Sequence, residues 1–341
     1  MKFLILRFSS IGDIVLTTPV IRCLKKKFPE AEIHYATKKA FHAILQHNPY
    51  INKIHLLDDS VFTLINELKQ QKFDCIIDLH HNQRTLLIKT MLGVKSFSFN
   101  KINFKKWLIV NFKINNLPAV HIVDRYLATC KSLGVQNDGD GLDYFIPLED
   151  EIDILTLPGA FNAGYVGWVI GAKQNTKRFP AEKIANAINK INLPVVLLGG
   201  KEDAANAEQI IASTNHKMIF NACGKYSLNQ SASLVKQATL IVTNDTGLMH
   251  ISAAFKKTII SIWGNTIPGF GMGPYYGQNH EALSSGKQSV KFETLNLACR
   301  PCSKLGYDSC PRGHFKCMNM IDELEIAGVV NNQSAVCNYT L

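Results

Sequence analysis

Asn244-Asp245-Thr246-Gly247-Leu248-Met249-His250 lies between an apolar run, Leu240-Ile241-Val242-Thr243, and a helix-like continuation from Ile251 to Phe255. That order brings a buried strand, a tight turn and a helix start to one point. Asp245 or Thr246 can cap the helix, and Gly247 lets a ligand approach the backbone. Amides left open at a helix N-terminus favour an anion such as a phosphate. Alone, the segment also reads as an ordinary capped helix, so other turns must supply the rest of a nucleotide site. Gly171-Ala172-Lys173-Gln174-Asn175-Thr176-Lys177-Arg178-Phe179-Pro180 joins another strand to a helix. Pro180 suits a first helical turn, and Lys177 with Arg178 adds the positive charge a diphosphate needs. In Gly199-Gly200-Lys201-Glu202-Asp203 the glycines permit close approach, and Glu202 or Asp203 could accept ribose hydroxyl groups. Near the N-terminus, Arg7-Phe8-Ser9-Ser10-Ile11-Gly12-Asp13 turns the first strand into a helix and presents Asp13 at the strand's carboxyl end. A carboxylate there can take a proton from a hydroxyl nucleophile, or can cap its own helix.

Alternating short strands and helices must hold these turns. Strands are expected at Lys2–Leu6, Glu32–Tyr35, Lys53–Leu57 and Cys75–Asp78. Helices are expected at Ile14–Lys27, Lys39–Gln46, Val61–Lys69 and Arg84–Leu92, with another beginning at His121. Acidic residues together with Pro147 and Pro158 mark an interdomain connection near residues 143–160. A second alternation follows, with strands near Tyr165–Ile170, Val195–Leu198, Met218–Asn221, Leu240–Thr243 and Thr258–Trp263. Its helices are expected at Ala181–Asn189, Ala204–Ala212, Leu228–Gln237 and Leu248–Phe255. The rhythm predicts an α/β fold of two doubly wound domains, residues 1–150 and 151–320, with ligands at the carboxyl ends of the strands. A helix within residues 321–341 is expected to pack back across the domains.

At 341 residues with 46% hydrophobic composition, the chain can bury two cores. No apolar run approaches the roughly 20 residues of a membrane span. Charge appears at once in Met1-Lys2-Phe3-Leu4, which reads as a first strand of a cytoplasmic protein rather than a signal peptide. The formal charge of +10 suits an anionic partner. It is spread without long basic blocks or an RNA-binding aromatic signature, which argues against nucleic acid. Lys101, Lys105, Lys106 and Lys113 surround Trp107-Leu108-Ile109-Val110, a pattern that fits a basic interfacial patch or a solvated helix with one buried face. Cys299, Cys302, Cys310 and Cys317 cluster near the C-terminus; reduced thiols are expected there, although the spacing also permits zinc or a disulfide. GxGxxG and GxxxxGK[ST] are both absent, which weakens a nicotinamide oxidoreductase or a phosphate-loop enzyme.

Taken in order, the motifs resemble the lipopolysaccharide heptosyltransferases of glycosyltransferase family 9. The resemblance rests on Arg7–Asp13, Asp78 with Arg84, Asp124-Arg125-Tyr126-Leu127, Thr176–Pro180, Gly224–Leu228 and above all Asp245–His250. Trp263-Gly264-Asn265-Thr266, Gly273-Pro274-Tyr275 and the terminal cysteine run extend it over almost the whole chain. It implies the GT-B architecture, two Rossmann-like domains facing a central cleft, and inverting transfer of a sugar from a nucleotide donor, usually ADP-heptose. On this chain Asp13 would be the general base, with Arg7, Ser9, Ser10, Arg84 and Arg125 serving the lipid-linked saccharide acceptor. Lys177, Asp203, Asp245, Thr246, Gly247, Leu248 and His250 would serve the donor. Thr246 and Gly247 would contact the diphosphate, while Asp245 would cap the helix or touch the donor sugar. No cofactor or metal is expected, and the implied workplace is the inner surface of the cytoplasmic membrane. Ala172-Lys173, Asn265 and His80-His81 depart from the family pattern and bear on sugar specificity. A related transferase with another nucleotide sugar, and a non-catalytic nucleotide-binding protein, are the alternatives.

Overall fold

A computed structural model describes residues 1–278 and 289–338, with side chains up to residue 334. The chain forms two compact units, residues 1–102 with 120–145 and residues 103–119 with 146–341. The first unit is built on strands β1 (Lys2–Leu6), β2 (Glu32–Lys38), β3 (Lys53–Leu57), β4 (Cys75–Asp78) and β5 (Ser96–Ser98). Every pairing is parallel, in the order β3-β2-β1-β4-β5. β1 and β4 are apolar on both faces because helices cover both sides of a parallel sheet. Leu4, Leu6, Ile65, Leu68, Ile76 and Ile88 form a core on one side. Connections from β1 and β4 leave in opposite directions, so the strand order reverses between them and a crevice opens at their carboxyl ends. In that register Leu6 stands beside Asp78.

The helix expected over Ile14–Lys27 is broken into α1 (Ile11–Val15) and α2 (Thr18–Lys27). Pro19, in the first turn of α2, cannot continue the hydrogen-bond ladder from α1. Thr17 instead closes the turn, its hydroxyl donating to the Ile14 carbonyl at 2.6 Å. The remaining helices of this unit are α3 (Val61–Lys69), α4 (Gln83–Leu92) and, after the excursion of residues 103–119, α6 (Ile122–Ala128). The segment Lys39–Ile44 is a 3-10 helix. Helix α5 (Asn103–Phe112) packs with the second unit, not with the N-terminal one as the sequence suggested. Lys113 secures it there, its ammonium donating to the carbonyls of Cys299 and Pro301 at 3.1 and 2.8 Å.

The second unit carries β6 (Val166–Val169), β7 (Val195–Leu198), β8 (Ile219–Asn221), β9 (Leu240–Asn244), β10 (Thr258–Trp263) and β11 (Ser289–Glu293). These too are all parallel, in the order β11-β10-β9-β6-β7-β8, so the reversal falls between β6 and β9. Helices α7 (Ala181–Ile188), α8 (Ala204–Ala212), α9 (Leu228–Gln237) and α10 (Gly247–Ala254) complete the winding. The C-terminal helix, Glu323–Asn338, lies on α7 within this same unit. Ile326, Ala327 and Val330 enter the core around Ile184 and Ile188, and Lys183 bonds the Ile321 carbonyl and Glu323.

Candidate active site

In the first unit the turn after β1 holds Asp13 from both sides. Arg7, buried at the end of the strand, pairs through Nη2 with Asp13 Oδ1 at 2.7 Å. Its Nε donates to the Ser9 carbonyl at 2.8 Å and its Nη1 to the Leu79 carbonyl at 2.6 Å. Those bonds hold the guanidinium in place, with the Tyr126 ring 5.8 Å from it. Asp13 Oδ2 accepts the Ser10 hydroxyl at 2.8 Å and the Ser10 N–H at 3.2 Å, so Asp13 also reaches back to cap its helix. Burial pushes the Asp13 pKa up, but the Arg7 charge and the Ser10 bonds outweigh it and hold the carboxyl below its ordinary value. The group is therefore ionised at neutral pH, and its side chain keeps 22% of its surface exposed. Arg7 is thus a clamp on Asp13, with its donors already engaged.

The turn after β4 completes this cluster. Asp78 is fully buried and accepts the N–H groups of His80 and His81 at 3.1 and 2.7 Å, while Lys89 neutralises it at 2.9 Å. Asn82 and Thr85 exchange backbone and side-chain bonds at the start of α4, fixing the first turn that bears Arg84. The Arg84 guanidinium lies 5.7 Å from the Phe8 ring, and the His80 ring meets Phe8 edge-on at 5.8 Å. Burial, reinforced by the charge of Arg7, pushes the His80 pKa down to about 4, so its imidazole is neutral. Arg125 sits on α6 beside Tyr126, buried, with its pKa lowered by that burial. The residues expected on the acceptor side thus collect around Phe8 and Tyr126; Arg7 and Ser10 bond Asp13, and the Ser9 carbonyl accepts from Arg7.

In the second unit, the turns after β6 and β9 meet at the other reversal point. Lys177 Nζ pairs with Asp245 Oδ2 at 2.6 Å, and the Thr266 hydroxyl donates to the same oxygen at 2.9 Å. An ammonium has three protons, so this pairing leaves donors on Lys177 for a ligand. Thr246 is the N-cap residue of α10, with extended backbone and no side-chain cap bond. The amides of Gly247 and Leu248 stand at the helix start, where no preceding turn can accept from them. The Leu248 side chain packs against the core, and His250 is buried one turn after Thr246. Asn244 does work that the sequence did not reveal. Its Oδ1 accepts the Phe179 N–H at 3.2 Å, and its Nδ2 donates to the Val169 and Ile170 carbonyls at 3.3 and 3.2 Å. One side chain thereby ties the Lys177 turn to the ends of β6 and β9. A polar residue closing an apolar strand was the available signal. Behind the turn, Thr176 and Tyr307 exchange hydrogen bonds at 2.8 to 3.0 Å.

Asp203 faces inward. Its Oδ2 accepts the Gly200 N–H at 2.9 Å, and Arg178 approaches Oδ1 at 3.1 Å. Burial raises its pKa against those partners. A side chain at Gly171 would strike this carboxylate, its Cβ lying 2.2 Å from Oδ2. Asp203 therefore braces the turns after β6 and β7, and Glu202 is the exposed carboxylate of the pair.

One unit thus presents an ionised carboxylate, and the other a cation beside an open helix N-terminus, each at the reversal of its own sheet. Residues 61–298 match the family model for Glycosyltransferase family 9 (heptosyltransferase). The chain belongs to that family. Among its relatives, the lipooligosaccharide heptosyltransferase 2 of Haemophilus ducreyi is 25% identical over 296 residues, covering 79% of this chain and 85% of the relative. A glycosyl transferase family 9 structure from Veillonella parvula superposes with a TM-score of 0.77 at 22% identity, covering 98% of this chain and 97% of the other. The E. coli ADP-heptose lps heptosyltransferase II structure gives 0.73 at 19% identity, with 98% and 99% covered. The fold is therefore that of a GT-B glycosyltransferase, with two Rossmann-like domains. The family match includes Arg84, Arg125 and the whole second cluster, but begins after Asp13. In this family 9 chain the clustered cysteines carry free thiols. Cys302 donates to the Cys299 carbonyl at 3.0 Å, and Cys299 lies 3.8 Å from His314 Nε2. Burial, with Cys299 adjacent, pushes the Cys302 thiol up to about 12. Among the described residues no three His, Cys, Asp or Glu side chains gather as a metal set.

Proposed function

We propose that this glycosyltransferase moves a heptose from ADP-heptose to a lipopolysaccharide core acceptor, inverting the anomeric centre. The observation that carries the reading is the ionised, partly exposed Asp13 in a family 9 chain whose second domain offers Lys177 beside the α10 N-terminus. The acceptor hydroxyl oxygen forms the new bond to the anomeric carbon as the bond to the diphosphate oxygen breaks. Its proton passes to Asp13, and the departing ADP takes the bonding electrons. A carboxylate of lowered pKa is a weak base toward a free alcohol. It becomes an adequate one once the hydroxyl oxygen has begun to bond and acidify, so proton transfer is late.

Lys177 and the amides of Gly247 and Leu248 meet the charge that grows on the leaving diphosphate, with Thr246 offering its hydroxyl. Asp245 holds Lys177 ready and is itself neutralised, which removes the repulsion an isolated carboxylate would exert on the diphosphate. Glu202, rather than the buried Asp203, accepts the ribose hydroxyls. Arg84 and Arg125 serve acceptor anionic groups, and His80, kept neutral, helps set which sugar is received. These protein cations and amides replace a resident metal in this reading. The acceptor is lipid-linked, so the enzyme works at the cytoplasmic face of the membrane.

A donor-by-acceptor screen with mass detection of products tests this proposal. ADP release and a heptose mass increment on truncated lipopolysaccharide are expected from ADP-heptose. Turnover confined to a UDP- or GDP-sugar, or none with any pair, would remove the assignment.

A further inference from the structure

Helix α5 is not used by either cluster, yet it exposes large apolar side chains. Phe104, Trp107 and Phe112 are 69%, 50% and 58% exposed, and Ile114 beyond the helix is 48% exposed. The rings touch one another in series: Phe104 stacks on Trp107 at 6.1 Å, and Trp107 meets Phe112 edge-on at 5.2 Å. They form one aromatic ridge, not scattered side chains. The opposite face is secured, with Ile109 buried, the Lys106 ammonium 5.8 Å from the Phe270 ring, and Lys113 bonded to the Cys299 and Pro301 carbonyls. The ridge is therefore held out rigidly from the second unit.

Along the sequence, its charge is one-signed. Residues 79–123 contain no Asp or Glu, while Lys101, Lys105, Lys106 and Lys113 lie in or beside the helix. Among the described residues, the hydrogen-bond partners of the Lys113 ammonium are carbonyls, which carry no opposing charge. Contiguous exposed apolar surface marks an interaction site. Aromatic rings framed by lysines match an interface with hydrocarbon below and phosphate above, because rings partition to the headgroup boundary and lysines meet anionic lipid. We propose that α5 docks the protein on an anionic phospholipid bilayer, with the Phe104-Trp107-Phe112 ridge entering the interfacial layer. This deepens the function proposed above, since a lipid-linked acceptor is presented at a bilayer, but its observations lie in α5 alone.

The test uses the full chain without donor or acceptor, so its outcome is separable from that of the transfer reaction. Vesicles of phosphatidylglycerol with phosphatidylethanolamine are compared with phosphatidylcholine vesicles by flotation. Brominated lipids add a local readout. Trp107 is the exposed tryptophan, whereas Trp168 and Trp263 are each 1% exposed, so quenching reports on α5. Binding to the anionic vesicles with quenched emission is expected, weakened about tenfold or more by Phe104→Ser/Trp107→Ser/Phe112→Ser and also weakened by Lys105→Glu. Both variants change exposed side chains, and their melting temperatures and turnover of a delipidated acceptor are expected to match the parent. Undiminished vesicle binding by the triple variant overturns the proposal. So does binding without quenching, or binding seen only when lipopolysaccharide is added to the vesicles.

Discussion

Replacing Asp13 with Asn separates the two tasks that one carboxylate performs. Asparagine has nearly the same shape and can still accept the Ser10 N–H, so the helix start survives. It cannot take a proton. A cap alone therefore implies almost unchanged turnover, whereas a general base implies a loss of about 10²–10⁴ in kcat, equivalent to about 3–5 kcal/mol. Stability changes too, for a separate reason. Arg7 would keep its Ser9 and Leu79 carbonyls but lose its charged partner, and its side chain is only 9% exposed. Losing one charge-assisted bond while the neutral amide retains part of the contact costs about 2–3 kcal/mol. Donor binding is the internal control, since Lys177 and α10 belong to the other domain. The assay pairs ADP release and product mass with thermal shifts in the presence and absence of ADP. A folded Asp13→Asn protein retaining more than about a tenth of parental kcat would refute the base assignment and leave Asp13 as a cap. The Arg7 clamp also fixes the pH response. The lowered pKa places the acid limb of kcat/KM below the ordinary aspartate value, and the clamp's contribution to stability is lost only as pH falls through that lowered pKa.

Asp245→Asn removes the negative partner of Lys177, so the site becomes more positive; ADP is expected to bind about three- to tenfold tighter and to inhibit more strongly as product. If Asp245 instead touches the donor sugar, isothermal titration will find ADP affinity unchanged and ADP-heptose weakened. Asn244→Ala deletes the side chain joining Phe179, Val169 and Ile170, and a fall in stability of about 2–3 kcal/mol with weaker ADP binding is expected by denaturation and titration; an unchanged midpoint would contradict that bracing role. Acid sensitivity should arise at β2 and β3, where His34 Nδ1 lies 2.9 Å from His55 Nε2 and His55 Nδ1 lies 2.6 Å from Glu67. Burial, with His55 and Lys2 nearby, pushes His34 down to about 4 although Glu32 pulls the other way, and the unfolded histidine takes its proton near pH 6.5. The folded state then binds fewer protons between those values, so stability is full above about pH 6.5 and falls by up to about 3 kcal/mol toward pH 4. His34→Gln should flatten that slope in pH-dependent melting.

Much of the fold was legible because parallel strands buried on both faces read as short apolar runs punctuated by Gly, Ser and charged turns. Lys2–Leu6 and Val195–Leu198 coincide with their expected bounds. The break at Thr17 was readable in principle from Pro19, but the apolar periodicity of the flanking segments masks it. β11 escaped because Ser289–Glu293 is only partly buried and mixes Lys and Glu with its apolar residues. The allegiance of α5 could not be read at all. It depends on where Lys113 finds carbonyls, and those come from residues nearly two hundred positions later. At the site, residue types and turns were visible, while the partner of each charge was not. Nothing local to Arg7 reveals that Asp13 and two carbonyls engage its donors. Asp203 and Glu202 were indistinguishable until burial separated them.

That missing layer, which member of each ion pair faces outward, underlies the chemistry proposed for both domains. In the first, the cation is the deeper partner, with Arg7 at 9% exposure and Asp13 at 22%. In the second the order is inverted, with Asp245 at 12% against 16% for Lys177, and Asp203 at 3% against 24% for Arg178. Removing either charge from water is costly, so each pair is held by further bonds, and the outer Asp13 and Arg178 take a share of them from Ser10 and to the Ala172 carbonyl. Arg7 spends its other donors on carbonyls, and Asp245 and Asp203 accept from Thr266 and Gly200. The outer member keeps unused capacity: lone pairs on Asp13, protons on Lys177. One domain therefore offers a proton acceptor and the other offers donors to an anion, although both are built at the same topological point of the same kind of sheet. The polarity of each cluster follows from the depth of the charges in its own turns, and the transfer proposed above needs that inversion: a base for the acceptor and a cation for the leaving diphosphate.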